Sequence, residues 1–319
     1  MAQQKNRRRK RVVLIIRIKR KDITKMRKKS FIGQVILTLV LACLAAAIVI
    51  PFLILVGVSF SNEKDVLLNG YKLIPENFSL EAYRYVLKNP AQILQAYKIT
   101  IIFASGATLL SLLFMSLLAY PLSRSDLPGR NIINFLIYFT MLFNGGLVPT
   151  YLLITKYLHL NDTVWVYILP TLVSVWHVFM IRTFFKGLPE SIIEAAMIDG
   201  ASQTRTLFRI VIPLSKPVLA TVALLIFLGK WNSWFESMLY IKNQELVSLQ
   251  YFLQRIMRNI QLLKESSETG QSLTQGSMDI PGETARMAMA VLVAGPALFV
   301  FPFFQKYFVK GLTVGGVKG

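Results

Sequence analysis

Six stretches of this chain stay apolar long enough to cross a bilayer: about 34–60, 96–121, 132–155, 163–185, 213–241 and 286–305. A spanning helix needs roughly 20 predominantly apolar residues. In lipid, only helices and closed barrels satisfy their own backbone polar groups. The pattern therefore predicts an all-α polytopic membrane protein with six transmembrane helices over 31–319, preceded by a polar arm at 1–30. Between spans the chain turns polar, most visibly at 186–217 and 242–285. Prolines mark several spans: Pro51 in the first, Pro170 in the fourth, and Pro213 and Pro217 where the fifth opens. Asn144-Gly145-Gly146, with Pro149 just behind, interrupts the third. Such a break either exposes backbone to a polar cavity or makes a packing kink.

Composition agrees: 54% of residues are hydrophobic and 16% charged, against about 25% charged in a soluble domain. The net charge of +20 would suit a nucleic-acid binder, but much of the excess lies before residue 30. No RNP-type or zinc-finger spacing accompanies it, so nucleic acid is not an expected partner. Of the 36 Lys and Arg, 24 fall in segments 1–30, 122–130, 182–217 and 305–319, and 10 in 61–94, 156–162 and 242–286. Positive loops face the cytoplasm, which places both termini and the 186–217 segment inside. The basic arm, with RRRKRVVLIIRIKRK at 7–21, suits anionic headgroups. The first apolar run continues to Phe60, much longer than the core of a cleaved signal peptide.

The inner segment carries its own helical signals. Pro189 suits a first helical position, and Glu190 and Glu194 favour the N-terminal end of a short helix. Ile192, Ile193, Ala196 and Met197 recur on one face, and Gly200 offers a left-handed C-cap. Ala201–Ile210 is expected to form a second short helix that ends before Pro213. Two short helices around a glycine make a compact knob, small at Ala195 and Ala196. It packs either on another protein or on the chain's own bundle.

The string EAAMIDGASQTRTLFRIVIPL at 194–214 resembles the EAA loop of ABC-importer permeases, with Ile212 where that family usually has Leu. The longer stretch LPESIIEAAMIDGASQTRTLFRIVIPLSKP (188–217), the run Trp231-Asn232-Ser233-Trp234-Phe235 and the tail YFVKGLTVGGVKG (307–319) resemble the carbohydrate, maltose-type branch. FNGGLVPTYLLI (143–154) is similar to permeases for oligosaccharides, including those of acidic polysaccharides. The resemblance implies a coupling helix between spans four and five, seated in a groove of a cytoplasmic ATPase subunit. Glu194 would make a polar contact there, Ala195 and Ala196 would allow close approach, and Gly200 would shape the bend flanked by Asp199 and Ala201. It also implies a second homologous permease subunit, an extracytoplasmic solute-binding protein and a carbohydrate substrate.

The remaining chemistry is sparse. No G-x-x-x-x-G-K-[ST] string occurs, so ATP hydrolysis is expected on separate subunits. With a single cysteine, Cys43, and two histidines, His159 and His177, lacking metal spacing, no cofactor or metal is expected. Ionisable groups inside spans are costly and mark function by default. The fifth span carries Lys230, Trp231, Asn232, Trp234, Phe235 and Glu236. As one helix it would align Trp231, Phe235 and Met238 in a stripe beside Asn232 and Glu236, with Lys230 turned away from Glu236. Aromatic faces beside an amide and an acid suit a sugar, making Trp231, Asn232, Phe235 and Glu236 candidate pathway residues. The same aromatics also suit the interfacial belt. His177 reads as a structural or path-lining polar group. Lys230, Glu236 and His177 are also what an ion-coupled secondary transporter would have to use, the alternative to an ATP-driven importer. The outer segment 242–285, polar at KESSETGQSLTQGSMDIPGE (264–283), is long for a connection and is either functional, as a receptor contact, or disordered.

Overall fold

The computed structural model describes residues 33–268 and 282–316, with side chains through Leu262 and at Glu265 in the first segment and through Pro302 in the second. The basic arm 1–30, the stretch 269–281 of the outer segment, and the side chains of the 307–319 tail lie outside the described residues. Among the described residues every regular element is helical, apart from one isolated antiparallel bridge between Ser61 and Phe78.

Three helices are long and apolar enough to cross a membrane unbroken: α1 (Gly33–Ser59), α4 (Pro90–Ser123) and α15 (Glu283–Gly316). The three other expected spans are bent pairs, so the chain has up to six spans if each pair counts once. In the third, α5 (Arg130–Leu142) meets α6 (Leu147–Leu152), extended by a π-turn at Leu153–Tyr157, at 105°. Gly146 there has φ of 88° and its N–H donates to Asn144 Oδ1 at 2.9 Å, a turn that no continuous helix accommodates. In the fourth, α7 (Trp165–Ile168) with a 3-10 turn at Leu169–Thr171 meets α8 (Val175–Lys186) at 57°. Pro170 removes an N–H at that turn.

The fifth span departs most from expectation. Pro213 does not open it. The helical stretch Gln203–Leu214 runs through Pro213 as α10 (Gln203–Thr206), a π-turn at Leu207–Val211, and α11 (Ile212–Leu214). Pro213 follows the π-turn after Ile212, and the helical stretch continues past it. At Ser215 the chain swings 81° into α12 (Lys216–Trp231). Asn232–Trp234 then interrupt the helix before α13 (Phe235–Tyr240). The outer segment is not a structureless loop either: Leu249–Glu268 is the 20-residue amphipathic helix α14.

α4 is the centre of the bundle. Its inward face carries Phe103, Ala104, Ala107 and Ala119, all fully buried, together with Thr100, Ser111 and Ser116. Small side chains let helices approach closely in lipid, and α8 and α12 pack along this face. At its Ser123 end, Met115, Ala119 and Leu122 cluster with Ile181, Phe185, Ile193, Leu207 and Val211. At its Pro90 end, Ile99, Phe103 and Ala107 cluster with Tyr167, Tyr240 and Val247, and Phe103 stacks on Tyr167 at 4.2 Å.

α1 is attached differently. Residues Gly33–Pro51 are exposed throughout, and only Gly57, Val58 and Ser59 are buried. Ser59 Oγ shares a hydrogen bond with Tyr83 Oη at 2.9 Å, on α3 (Glu81–Val86), and Phe60 stacks on Tyr83. A Cβ on Gly57 would lie 2.2 Å from the Leu73 carbonyl oxygen, so glycine alone permits this seat. Beyond it, α2 (Glu63–Asn69) caps α15: Glu63 accepts the N–H groups of Glu283 and Thr284 at 2.9 Å and the Thr284 hydroxyl at 2.7 Å. Burial pushes that carboxyl up, but the donated bonds from Thr284 and Glu283 outweigh it and hold the carboxyl below its usual range. Nearby, Asp162 accepts from the Asn243 and Lys242 N–H groups at 2.8 and 2.7 Å, and these lower its carboxyl pKa. This clasp ties the two loops that flank α7 and α13.

Candidate functional site

Two features concentrate the expected site residues. The first is a protruding elbow. α9 (Glu190–Ile198) starts after Pro189, which caps it rather than occupying its first turn. It ends in a Schellman motif: Ala201 N–H reaches Ala196 O at 2.9 Å, Gly200 N–H reaches Met197 O at 3.0 Å, and Gly200 has φ of 80°. Ser202 then caps α10 by accepting from the Arg205 N–H at 3.3 Å. Both sides of the elbow's joint are therefore held by capping hydrogen bonds.

Ile193 and Ala196 are buried and press α9 onto the bundle, while Glu194, Ala195, Asp199 and Gly200 are exposed and Ala201 is half-buried. Ala196 thus faces the chain's own core, which corrects the expectation that it offers close approach from outside. It sits on the same inward stripe as Ile193, three residues earlier. Ile198 is the residue sequence reasoning missed. It is 86% exposed, an apolar side chain standing beside Glu194 and Ala195. Its position i+4 from Glu194 was legible, but as an ordinary helix-end residue it carried no signal.

The second feature is a cavity of about 380 Å³ where spans two, four and five meet. α4 contributes Ser111 and Met115, and the broken fourth span contributes Thr171, Ser174 and His177. The end of α12 and the start of α13 contribute Lys230, Asn232, Ser233, Trp234, Phe235 and Glu236. Lys230 is buried and its Nζ donates to the Tyr167 carbonyl and to Thr171 Oγ1. Glu236 Oε2 accepts from Ser233 Oγ at 2.5 Å. Ser111 Oγ and His177 Nδ1 are buried without a hydrogen-bond partner among the described residues. Buried polar atoms left unpaired are expensive and rare, so this wall has hydrogen-bonding capacity to give to a polar guest.

The interruption at Asn232–Trp234 overturns the expected stripe. Trp231 belongs to α12 and is buried, its Nε1 donating to Val293 O at 3.1 Å. Phe235 and Glu236 belong to α13 and line the 380 Å³ cavity. Trp231 lines instead a second cavity of about 720 Å³ between α12, α14 and α15, with Gln250, Gln254 and Arg286. Asn232 and Trp234 touch both spaces. The same break brings Lys230 and Glu236 to one cavity, six residues apart, although no ion pair joins them among the described residues. Missing from the expectation were Ser111, Thr171 and Ser174, small hydroxyls that read as packing until the spans are assembled.

A helical bundle with several membrane-spanning helices, a polar cavity between them and a protruding elbow is the architecture expected of a membrane transport subunit. No family model matches the chain. It is 37% identical over 281 residues to protein LplC of Bacillus subtilis, covering 88% of this chain and 93% of that one. It is 36% identical to the polygalacturonan/rhamnogalacturonan transport system permease YtcP of the same organism, covering 85% of this chain and 93% of YtcP. Among solved structures, a bacterial ABC transporter involved in import of the acidic polysaccharide alginate superposes with a TM-score of 0.74 at 28% identity, covering 87% of this chain and 96% of that chain. The chain belongs to the family of carbohydrate ABC-transporter permeases.

Proposed function

We propose that this chain forms half of the translocation pathway of an ATP-driven oligosaccharide importer and carries ATPase motion into the membrane through α9. Six spans run with both termini in the cytoplasm, the orientation favoured by the Lys and Arg distribution. A second, homologous permease completes the pathway, two cytoplasmic ATPase subunits hydrolyse ATP, and an extracytoplasmic solute-binding protein delivers the sugar. The observation that carries this reading is the elbow. A nine-residue helix is locked at its end by a Schellman turn and anchored by Ile193 and Ala196, and it presents Glu194, Ala195, Ile198 and Asp199 outward. Such a knob moves with its socket, and its joint to α12 moves with the knob.

Asn232, Phe235 and Glu236 line the path with Ser111, His177 and Lys230, an aromatic face beside donors and acceptors of the kind a sugar ring needs. Trp231 supports that wall from behind. The ion-coupled alternative is not favoured, because the relatives are ABC permeases. Glu194→Lys tests the coupling role. The variant inserts normally but loses the co-purifying ATPase or its stimulation. Wild-type ATPase retention together with wild-type sugar uptake would count against it.

A further inference from the structure

Resting on that reading of α9, we infer that α4 is the element that carries its displacement across the membrane, and that Tyr120, Gln203 and Arg182 are its lower couplings. The elbow is bonded to the same end of α4 from both sides. Before α9, Arg182 of α8 donates its Nε to Leu122 O at 2.9 Å. After α9, Tyr120 Oη donates to Gln203 Oε1 of α10 at 2.8 Å. Between these, Ile193 of α9 packs into the cluster that holds Met115, Ala119 and Leu122. The Leu122 bond is charge-assisted and satisfies one of the carbonyls that end α4 without a helical partner.

The spans joined directly to the elbow cannot carry an axial push unaltered. The fourth bends 57° at its break, and the fifth turns 81° at Ser215 and is interrupted again at Asn232–Trp234. α4 runs 34 residues as one helix, its internal Pro121 lying in the last turn, and packed helices of this kind shift as units. Its far end holds the outer elements by three more bonds. Thr100 Oγ1 accepts the Leu249 N–H at 2.9 Å, where α14 begins, and both residues are fully buried. Gln95 Nε2 donates to Glu245 O at 2.9 Å, and Tyr97 Oη donates to Leu292 O of α15 at 2.6 Å. Between Tyr120 and Thr100 the path from α9 to α14 follows one unbroken helix.

The test places spin labels at Arg209→Cys, beside the elbow, and Asn259→Cys, on the exposed face of α14, in a Cys43→Ser background of the purified complex. Pair distances are recorded before and after trapping with ATP and vanadate. In the otherwise wild-type complex the distance stays single and unchanged on trapping, because both sites ride on α4. In Tyr120→Phe/Arg182→Gln, which removes both lower couplings, trapping shifts or splits the distribution while nucleotide is still retained. Thr100→Val, which keeps shape and removes the upper bond, does the same should the double variant fold poorly. Coupling between distant sites typically changes affinities by about 5–150-fold, so in these variants the effect of the outer side on nucleotide affinity should shrink by about 5-fold. A wild-type distance that changes on trapping, or variant distributions identical to wild type, overturns the inference. Failure of any ATPase to co-purify with the wild-type chain overturns the coupling reading itself, and this is seen before any label is measured.

Discussion

Replacing Ile198 with alanine separates docking from folding. The side chain is 86% exposed and makes almost no contribution to the chain's own core. If α9 seats in an ATPase groove, the change removes three carbons from that contact. At about 0.8 kcal/mol per buried CH₂ the loss is about 2.4 kcal/mol, an upper bound because burial in the groove is incomplete. With about 1.4 kcal/mol per tenfold, the ATPase should bind roughly 10- to 50-fold more weakly. Ile193→Ala is the counterpart. Ile193 is 6% exposed, and opening a cavity there costs about 2–5 kcal/mol of fold stability. The assay titrates labelled ATPase onto nanodisc-embedded permease and records thermal unfolding of the same samples. Ile198→Ala should weaken binding at an unchanged melting temperature, and Ile193→Ala should lower the melting temperature. Undiminished ATPase binding by Ile198→Ala would refute the assignment of this face to the socket.

Three further outcomes follow from the geometry. Glu236→Gln keeps the Ser233 contact and removes a charge from the polar cavity, so sugar uptake should fall about tenfold, the weight of one charged hydrogen bond, while the ATPase still co-purifies. Gly57→Ala forces a Cβ against the Leu73 carbonyl and should cost about 1–3 kcal/mol, seen as a lower melting temperature in detergent; Gly33→Ala, which meets nothing within 4 Å, should not. The Glu63 carboxyl sits below its ordinary value in the folded chain, so its contribution is present above the unfolded pKa and is lost as pH falls through the lowered folded one. Wild type should therefore lose stability on acidification over that window, and Glu63→Gln should show a flatter acid limb in melting scans.

The apolar helices and the family are legible because apolar length is summed over many residues, and the EAA string is local. Gly200 was read correctly as a left-handed cap because that conformation is a property of one residue. What escaped depended on geometry between elements. Nothing local tells that Asn232–Trp234 breaks the fifth span, so Trp231 and Phe235 were placed on one stripe when the break sends them to separate cavities. Pro213 signalled a helix end, yet a π-turn before it let the helix run on. Ala196 faced the wrong way because the inward stripe of a nine-residue helix rests on which of two neighbouring alanines meets Ile193's core, a choice made by packing. α14 was hidden because its mean polarity resembles a loop, and only the periodicity of its apolar residues shows the buried face.

The attachment of α1 has a mechanical side. Seated at Gly57–Ser59 and half-buried at Phe52 and from Ile54 to Val56, it is a cantilever whose exposed length from Pro51 back to Gly33 is about 28 Å at roughly 1.5 Å per residue. A tilt of about 10° there sweeps Gly33 by about 5 Å over that length. Its inclination is thus open to the surrounding lipid or a neighbouring subunit, and a thicker or thinner bilayer would reposition Gly33 while leaving the bundle untouched.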